Sequence, residues 1–251
     1  MPLLELTNLY KCFGRFAAVA GVSLHVNAGE IVGLIGPNGS GKSTLLSTVA
    51  GAYQPNDGTI NFDGQPIGGL SPDKVFDRGL ARSYQDPSLF FRMSALDNAL
   101  LPAREQRGEQ ARFAPFRGRW WTQERENTAE AAAILADLKI DDRAHAPASD
   151  LSGGQMKLLE MGRTLMGEPK MLLLDEPTAG VAPALAYTIF EEIERMRTAH
   201  GLTFLIVEHR LEILFDFVDR LYVMHMGQVI ADGKPAAIEQ DAFVREVYFG
   251  E

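Results

Sequence analysis

Eight consecutive residues near the N-terminus have the types and spacing of a phosphate-binding loop. They are Gly36, Pro37, Asn38, Gly39, Ser40, Gly41, Lys42 and Ser43, and they fit the pattern G-x-x-x-x-G-K-S. The loop follows the apolar run Ile31 to Ile35 and precedes the helical stretch Thr44 to Ala50, which is the required strand, loop and helix context. Glycines let backbone N–H groups turn toward a phosphate, Lys42 reaches the β- and γ-phosphates, and the Ser43 hydroxyl ligates Mg²⁺. The pattern predicts a nucleotide site that extends to Thr44, but it indicates no particular reaction.

Two adjacent carboxylates follow the apolar run Met171 to Leu174, which is typical of a buried parallel strand. Asp175 is predicted to lie at the carboxyl edge of the sheet, where such folds bind ligands, and to hold Mg²⁺ directly or through water. Glu176, one residue on, is a free carboxylate that can act as base for an attacking water. The alternative is that Glu176 only caps the turn that starts at Pro177. For an isolated Asp-Glu pair that alternative would be favoured.

A third motif of small and polar residues lies upstream of these carboxylates. It consists of Ser152, Gly153, Gly154 and Gln155 and precedes the helical run Met156 to Met166. A helix start without bulky side chains is another phosphate-binding design. Ser-Gly-Gly alone is common in linkers, but its position between the two nucleotide motifs is highly specific. From about Leu3 to its C-terminus the chain therefore resembles the nucleotide-binding subunit of ABC transporters, which implies an ATP hydrolase coupled to transmembrane transport that uses ATP and Mg²⁺.

The resemblance assigns roles to further positions. Gln85 matches the glutamine of the family that ligates Mg²⁺ and senses the γ-phosphate, and the segment 86–93 would face the membrane subunits. His209, after another apolar run, matches the histidine that contacts the γ-phosphate and the attacking water. Phe13 matches the aromatic residue that stacks on adenine. Phe16 is the less favoured substitute for it, and core packing is the alternative role of Phe13.

The resemblance also implies partners. In the family two nucleotide-binding subunits close head to tail, so that Ser152 to Gln155 of one chain complete the ATP site of the other. The second subunit could be an identical chain or a paralogue. Transmembrane permease subunits are the direct partners, a solute-binding protein is an indirect one, and the expected location is the cytoplasmic face of the cell membrane.

Softer features point to a branch of the family. Most members continue after Glu-Pro-Thr with Ser-Ala-Leu-Asp, whereas here Ala179 to Pro183 follow and Ala182 offers no polar side chain to the dimer. The Ala-Gly-Val sequence, a basic and aromatic insertion at 104–125 and the ending Val247 to Glu251 resemble the branched-chain amino acid uptake branch. Branches for urea uptake or lipopolysaccharide export share several of these features, and a soluble ABC ATPase without a transport role is a further alternative.

The elements that must position these motifs predict an α/β fold. Short strands with turn residues between them open the chain, a helical pattern runs from Ser94 to about Leu138, and apolar runs alternate with helices in the last third. The prediction is one ABC nucleotide-binding domain over 1–251, with a P-loop NTPase core and its parallel sheet. An N-terminal antiparallel β subdomain belongs with this core over about 1–93 and 160–251, and a helical subdomain is inserted over about 94–159. We expect a hairpin between Leu221 and Gly233, followed by one short helix.

The composition of the chain argues against several classes of protein and partner. The 251 residues carry a formal net charge of −9, which argues against nucleic acid as the main partner. The single cysteine, Cys12, allows no internal disulfide, and no apolar stretch reaches the length of a membrane span. We also expect no secretory signal at the N-terminus. The insertion at 104–125 holds six arginines and three glutamates and departs from this average. It is either a solvated helical insertion with its own core or a docking surface for anionic lipid or a partner chain.

Overall fold

The computed structural model describes residues 2–83 and 89–249. The chain divides into two compact units, Met1–Gln85 with Lys170–Glu251 and Asp86–Pro169. The assignment of the whole chain to one nucleotide-binding domain with a helical subdomain over 94–159 stays a prediction. Within the described ranges no helix is long and apolar enough to cross a bilayer.

The strands and helices of the described residues have the following bounds. The strands are β1 (Pro2–Phe13), β2 (Phe16–Asn27), β3 (Ile31–Ile35), β4 (Asp57–Phe62), β5 (Gln65–Pro66), β6 (Leu80–Arg82), β7 (Met171–Asp175), β8 (Thr203–Val207), β9 (Arg220–His225) and β10 (Gln228–Gly233). The α-helices are α1 (Lys42–Val49), α2 (Pro72–Asp77), α3 (Ala95–Leu100), α4 (Trp121–Asp137), α5 (Gly153–Leu165), α6 (Pro183–His200), α7 (Leu211–Phe217), α8 (Pro235–Gln240) and α9 (Ala242–Phe249).

An antiparallel sheet with the strand order β2-β1-β4-β5 opens the first unit. Buried and exposed side chains alternate along β1, where Leu4 and Leu6 are buried and Glu5 between them is exposed. Leu4 pairs with Val26 of β2 and with Phe62 of β4, both buried, so all three strands contribute to one core. The antiparallel sheet predicted at the start of the chain is thus confirmed.

The second sheet has the order β10-β9-β3-β8-β7-β6 and contains the predicted parallel strands. Every residue of β3, β7 and β8 is buried, which is why these strands are continuous apolar runs. Val207 near the end of β8 pairs with Leu34 of β3 on one side and with Asp175 of β7 on the other. The segments that follow the three strands therefore leave the sheet at the same level of one edge.

The tail confirms the predicted hairpin and corrects the helix after it. Strands β9 and β10 pair antiparallel around Met226 and Gly227. Two helices follow instead of one, because Asp241 interrupts them. Its Oδ1 accepts hydrogen bonds from the backbone N–H groups of Phe243 (2.9 Å) and Val244 (3.0 Å) and so begins a new helix.

The second unit is built from α3, α4 and α5. Helix α4 buries Ala131, Ile134 and Leu135. Helix α5 packs closely against the C-terminal end of α4, since a Cβ atom at Gly162 of α5 would lie only 2.4 Å from Cδ1 of Leu138. A larger residue at this position would require Leu138 to move.

The helical pattern predicted from Ser94 to Leu138 is interrupted in the structure. Helices cover 95–100 and 121–137, whereas residues 101–120 form turns and two short 3₁₀ segments, Arg107–Glu109 and Arg117–Arg119. Pro102 and Pro115 explain the interruption, because proline lacks the N–H group that continues a helix. Within the insertion at 104–125, only the last five residues are α-helical, as the start of α4.

Candidate functional site

Two glycines shape the loop between β3 and α1. Gly36 has φ +150° and Gly41 has φ +104°, conformations that side chains disfavour. A Cβ atom on Gly36 would lie 2.1 Å from the carbonyl oxygen of Met224, and one on Gly41 would lie 2.2 Å from that of Ala18. Only glycine fits at either position, so the loop keeps the close backbone turn that a phosphate cradle needs.

Lys42 lies buried inside this loop. Its Nζ donates hydrogen bonds to the carbonyl oxygens of Gly36 (2.7 Å) and Pro37 (3.0 Å). Burial lowers the pKa of the Lys42 ammonium below its usual value, and the nearby charges of Glu176 and Asp175 partly offset this shift. A desolvated cation of this kind interacts strongly with a bound anion, because little water screens the pair.

Asp175 is held at the end of β7 by a residue that the sequence analysis did not identify. Arg82 of the parallel neighbour β6 forms a salt bridge to Oδ2 of Asp175 at 2.9 Å, with both side chains largely buried. Arg82 also donates to the Ser47 hydroxyl at 2.7 Å. The available signal was a basic residue at the end of a strand beside the one that carries the acid.

The residues predicted to bind Mg²⁺ fit that ion as far as the structure describes them. The Ser43 hydroxyl lies 3.4 Å from Oδ1 of Asp175, so two oxygen atoms that can ligate a metal lie close together at the sheet edge. Among the described residues no cluster of three or more His, Cys, Asp and Glu could hold a metal. Two oxygen ligands still suit Mg²⁺, since it usually takes few protein carboxylates and completes its shell with phosphates and water. Gln85, the third predicted ligand, lies outside the described residues.

Glu176 and His209 meet across the strand ends. Oε1 of Glu176 lies 3.0 Å from Nε2 of His209, although the two residues stand 33 positions apart. The backbone N–H of Glu176 donates to the carbonyl oxygen of Val207 at 2.9 Å and fixes the start of the turn. Glu176 has φ +51°, an uncommon conformation for a residue with a side chain, and such strain often occurs at functional sites. The carboxylate thus points toward the histidine, as a base and its partner require.

Glu208 is a second residue that the sequence analysis missed. Its side chain is only 2% exposed and accepts hydrogen bonds from the backbone N–H of Thr178 (3.2 Å) and from the Thr178 hydroxyl. Its other oxygen accepts the backbone N–H of His209 at 2.8 Å. This one buried carboxylate therefore joins the turn that carries Glu176 to the turn that carries His209. An acid directly before a histidine at a buried strand end was the available signal.

A cleft of about 290 Å³ lies beside these groups. Its lining residues are Phe16, Ala18, Asn38, Gly39, Gly41, Lys42, Ser43, Thr44, Glu176 and His209. The structure thus brings loop residues, the predicted base and the predicted histidine to one cavity. Phe13 is not among the lining residues.

The two aromatic candidates for adenine stacking are both exposed. Phe13 is 46% exposed and Phe16 is 64% exposed, so core packing does not account for Phe13. The Phe13 ring meets Tyr53 edge to face at 5.2 Å, and Nζ of Lys11 lies 5.2 Å from its centroid. The stacking role of Phe13 stays a prediction, with Phe16 nearer to the cleft as its alternative.

The Ser152 to Gln155 motif belongs to the second unit, where it starts α5. The backbone N–H of Gln155 donates to the Ser152 hydroxyl at 3.3 Å, and the Ser152 N–H donates to Oε1 of Gln155 at 3.0 Å. This reciprocal capping box gives both polar residues a local structural role. The part of Ser152 to Gln155 in phosphate binding stays a prediction.

Comparison with known proteins decides the family. The pattern of the ABC transporter family matches residues 19–179. A probable branched-chain amino acid transport ATP-binding protein LivG of Methanocaldococcus jannaschii is 41% identical over 255 residues, which cover 100% of this chain and 98% of that protein. The chain belongs to the ABC transporter family. The high-affinity branched-chain amino acid transport ATP-binding protein BraF of Pseudomonas aeruginosa is 34% identical over 251 residues, which cover 100% of this chain and 98% of that protein.

A solved structure confirms the ABC ATPase fold. An ABC transporter ATP-binding cassette in its ADP conformation is 41% identical, with a TM-score of 0.87 over 100% of both chains. As a member of this family the chain binds and hydrolyses ATP.

The buried Glu208 link gives a first prediction for this ABC ATPase. Glu208→Gln replaces one acceptor oxygen with an amide that cannot accept, so the Thr178 and His209 turns lose part of their common anchor. We expect kcat for ATP hydrolysis to fall about tenfold, while KM for ATP changes less than twofold. Steady-state ATPase assays on the purified chain measure both constants.

The matched control is Glu212→Gln, the same chemical change at an exposed residue of α7. It should leave both constants unchanged. Equal losses in the two variants, or a raised KM with normal kcat for Glu208→Gln, would contradict the positioning role of Glu208.

Proposed function

We propose that this ABC cassette powers the import of a small solute, and that the solute is a branched-chain or other hydrophobic amino acid. The observation that carries the ATP-hydrolysing part of the proposal is the 3.0 Å contact between Glu176 and His209, at the sheet edge where Lys42 and Asp175 also lie. The substrate class is supported by relatives at 34% to 41% identity over the full chain, whose names describe branched-chain amino acid transport.

Each group at the edge has a chemical task. Lys42 binds the β- and γ-phosphates with its desolvated ammonium. The oxygens of Ser43 and Asp175, together with Gln85, would hold Mg²⁺, which would offset phosphate charge. Glu176 accepts the proton of the attacking water.

His209 orients Glu176 through the contact of its Nε2. The imidazole also lines the cleft beside Lys42, where it can contact the γ-phosphate and the attacking water. Glu208 holds the backbone of His209 in place and Arg82 does the same for the Asp175 carboxylate, so these two act as positioning residues. The geometry supports in-line attack by water on the γ-phosphorus beside the loop, with the bond to the β-phosphate oxygen breaking so that ADP and inorganic phosphate leave.

The partners follow from the same proposal. Two ATP-binding subunits, identical or paralogous, close head to tail so that Ser152 to Gln155 of each complete the ATP site of the other. Permease subunits at the membrane change conformation when the two ATP-binding subunits close, and a solute-binding protein delivers the amino acid to them. The cassette then works at the cytoplasmic face of the membrane.

An ordered turn of the second unit has the features of a docking surface for permease subunits. Phe90 and Phe91 are both exposed on this turn. The fully buried Asn98 fixes it, since its Oδ1 accepts the N–H of Phe90 at 2.8 Å and its amide nitrogen donates to the Phe90 carbonyl at 3.0 Å. The turn is part of the predicted docking segment 86–93, of which residues 89–93 are described. Exposed aromatic side chains on a rigid support are typical of interfaces.

The base assignment is tested by Glu176→Gln. Loss of the carboxylate removes the proton acceptor but leaves Lys42 and the loop intact, so ATP binding should persist while turnover falls at least a hundredfold. We also expect dimers that form only with ATP, because hydrolysis no longer separates them. Equilibrium binding of a fluorescent ATP analogue, ATPase assays and size-exclusion chromatography measure the three effects.

Lys42→Ala is the contrasting variant, because it should lose tight ATP binding as well as turnover. Near-normal hydrolysis by Glu176→Gln would exclude Glu176 as the base. Unchanged nucleotide affinity of Lys42→Ala would exclude the phosphate role of the lysine.

The import function is tested on the assembly that co-purifies with the chain. We expect membrane permease chains and a soluble binding protein that binds leucine, isoleucine or valine, as measured by calorimetry. ATP-driven uptake of radiolabelled leucine into reconstituted vesicles should stop with Glu176→Gln. A binding protein specific for urea, or membrane chains that extract lipopolysaccharide, would replace the proposed substrate while leaving the ATPase role in place.

A further inference from the structure

One surface segment of the second unit has no role in the proposed ATP site. We define it as the arginine-aromatic segment, residues 110–121, with the sequence QARFAPFRGRWW. It contains three arginines and four aromatic residues but no acidic residue, whereas the chain as a whole carries −9. The local positive charge of this segment would attract a ligand of negative charge.

The three arginines of the segment are exposed and unneutralised. Arg112, Arg117 and Arg119 all face solvent, and none forms an ion pair with any residue that the structure describes. Each guanidinium lies over an aromatic ring of the same segment. The distances from Cζ to the ring centroid are 3.9 Å for Arg117 over Trp121, 4.6 Å for Arg112 over Phe113 and 5.5 Å for Arg119 over Phe116.

Stacking leaves arginine able to bind phosphate. A cation–π contact uses none of the N–H donors of a guanidinium, so Arg117 and Arg119 can still form paired hydrogen bonds to phosphate oxygens. Arg112 donates to Oε1 of Gln110 through Nε (3.1 Å) and Nη2 (3.0 Å), which leaves its remaining N–H groups for a phosphate. Stacking also restricts the long side chains, which lowers the entropy that they lose on binding. The segment thus presents cations already partly ordered.

Hydrogen bonds hold the segment against the start of α4. Nε1 of Trp120 donates to the carbonyl oxygen of Ala114 at 3.2 Å. Gln123 accepts the backbone N–H of Arg107 at 3.0 Å and donates to the Glu105 carbonyl at 3.1 Å, which fixes the chain before the segment. The loop is therefore an ordered surface rather than a linker.

Exposed rings beside these arginines favour a bilayer as the ligand. Phe116 is 58% exposed and Trp121 is 42% exposed, although both are large apolar side chains. Aromatic rings partition to the headgroup level of membranes, and clustered arginines are attracted to anionic lipids. An acidic protein or a nucleic acid would also attract the charges and contact the rings, and the bilayer is favoured because the proposed function sets this cassette beside one.

We propose that the arginine-aromatic segment binds the anionic headgroups of the membrane directly. The proposal rests on the proposed function for its setting, a cassette that works beside a bilayer. Charge elsewhere on the acidic chain opposes binding only weakly, because salt screens it over about 8 Å at physiological ionic strength. The contact places a second anchor on the bilayer besides the permease subunits.

Both tryptophans of the chain, Trp120 and Trp121, lie in the segment, so intrinsic tryptophan fluorescence reports on it alone. We expect a blue shift when the purified chain meets vesicles of phosphatidylglycerol and phosphatidylcholine, and none with phosphatidylcholine alone. Sedimentation with the same vesicles gives the affinity, which should fall as salt rises. The triple variant R112Q/R117Q/R119Q should bind between tenfold and about a hundredfold more weakly.

The matched control is K74Q/R143Q/K234Q, which removes the same charge at three exposed positions outside the segment. It should bind vesicles like the wild type. Both triple variants should keep wild-type ATPase activity, so that vesicle binding, measured without ATP, can fail independently of the proposed function. If the segment variant unfolds at a lower temperature than wild type, the single change Arg117→Glu replaces it, with at least a tenfold loss expected.

Three results would overturn the proposal. The first is equal binding to neutral and anionic vesicles, and the second is an equal loss of binding in the control variant. The third is an absence of vesicle binding together with loss of the co-purifying permease chains from the segment variant, which would make a protein the partner instead.

Discussion

The parallel alignment of β3, β7 and β8 is the constraint on which the ATP site depends. Because Val207 pairs with Leu34 on one side and with Asp175 on the other, the three strands end at one level. The phosphate loop, the two carboxylates and the histidine come from separate parts of the chain, and this register alone brings them together. A shift of one residue in any of the three strands would turn its terminal side chains to the opposite face.

Buried polar contacts then hold in place the side chains and turns that follow these strands. Arg82 pairs with Asp175, and Glu208 joins the turns on which Glu176 and His209 stand. Lys42 carries a desolvated positive charge, which attracts a phosphate, whereas the carboxylates of Asp175 and Glu176 repel one unless a cation lies between them. Under the proposed function these contacts hold Lys42 ready for a phosphate and Asp175 ready for Mg²⁺ before the nucleotide binds.

The sequence was sufficient for the parts of the site that are continuous in the chain. The glycine-lysine loop, the buried runs before Asp175 and His209, and the tail hairpin could each be recognised from local pattern. For Arg82 and Glu208 the local pattern offers only their position at a strand end, because their partners Asp175 and Thr178 lie 93 and 30 positions away and meet them only through strand register. The interrupted helix between 101 and 120 is a different case, since arginine and alanine favour a helix, whereas Pro102 and Pro115 are a local signal against one.

The γ-phosphate of ATP is expected to bind where these three strand ends meet. The most direct test is a crystal structure of the Glu176→Gln chain with ATP and Mn²⁺, whose anomalous scattering locates the metal. We expect a manganese peak between the Ser43 hydroxyl and the Asp175 carboxylate, with the γ-phosphate beside Lys42 and His209. A nucleotide or a manganese ion bound elsewhere, with these side chains left in contact only with one another, would contradict it.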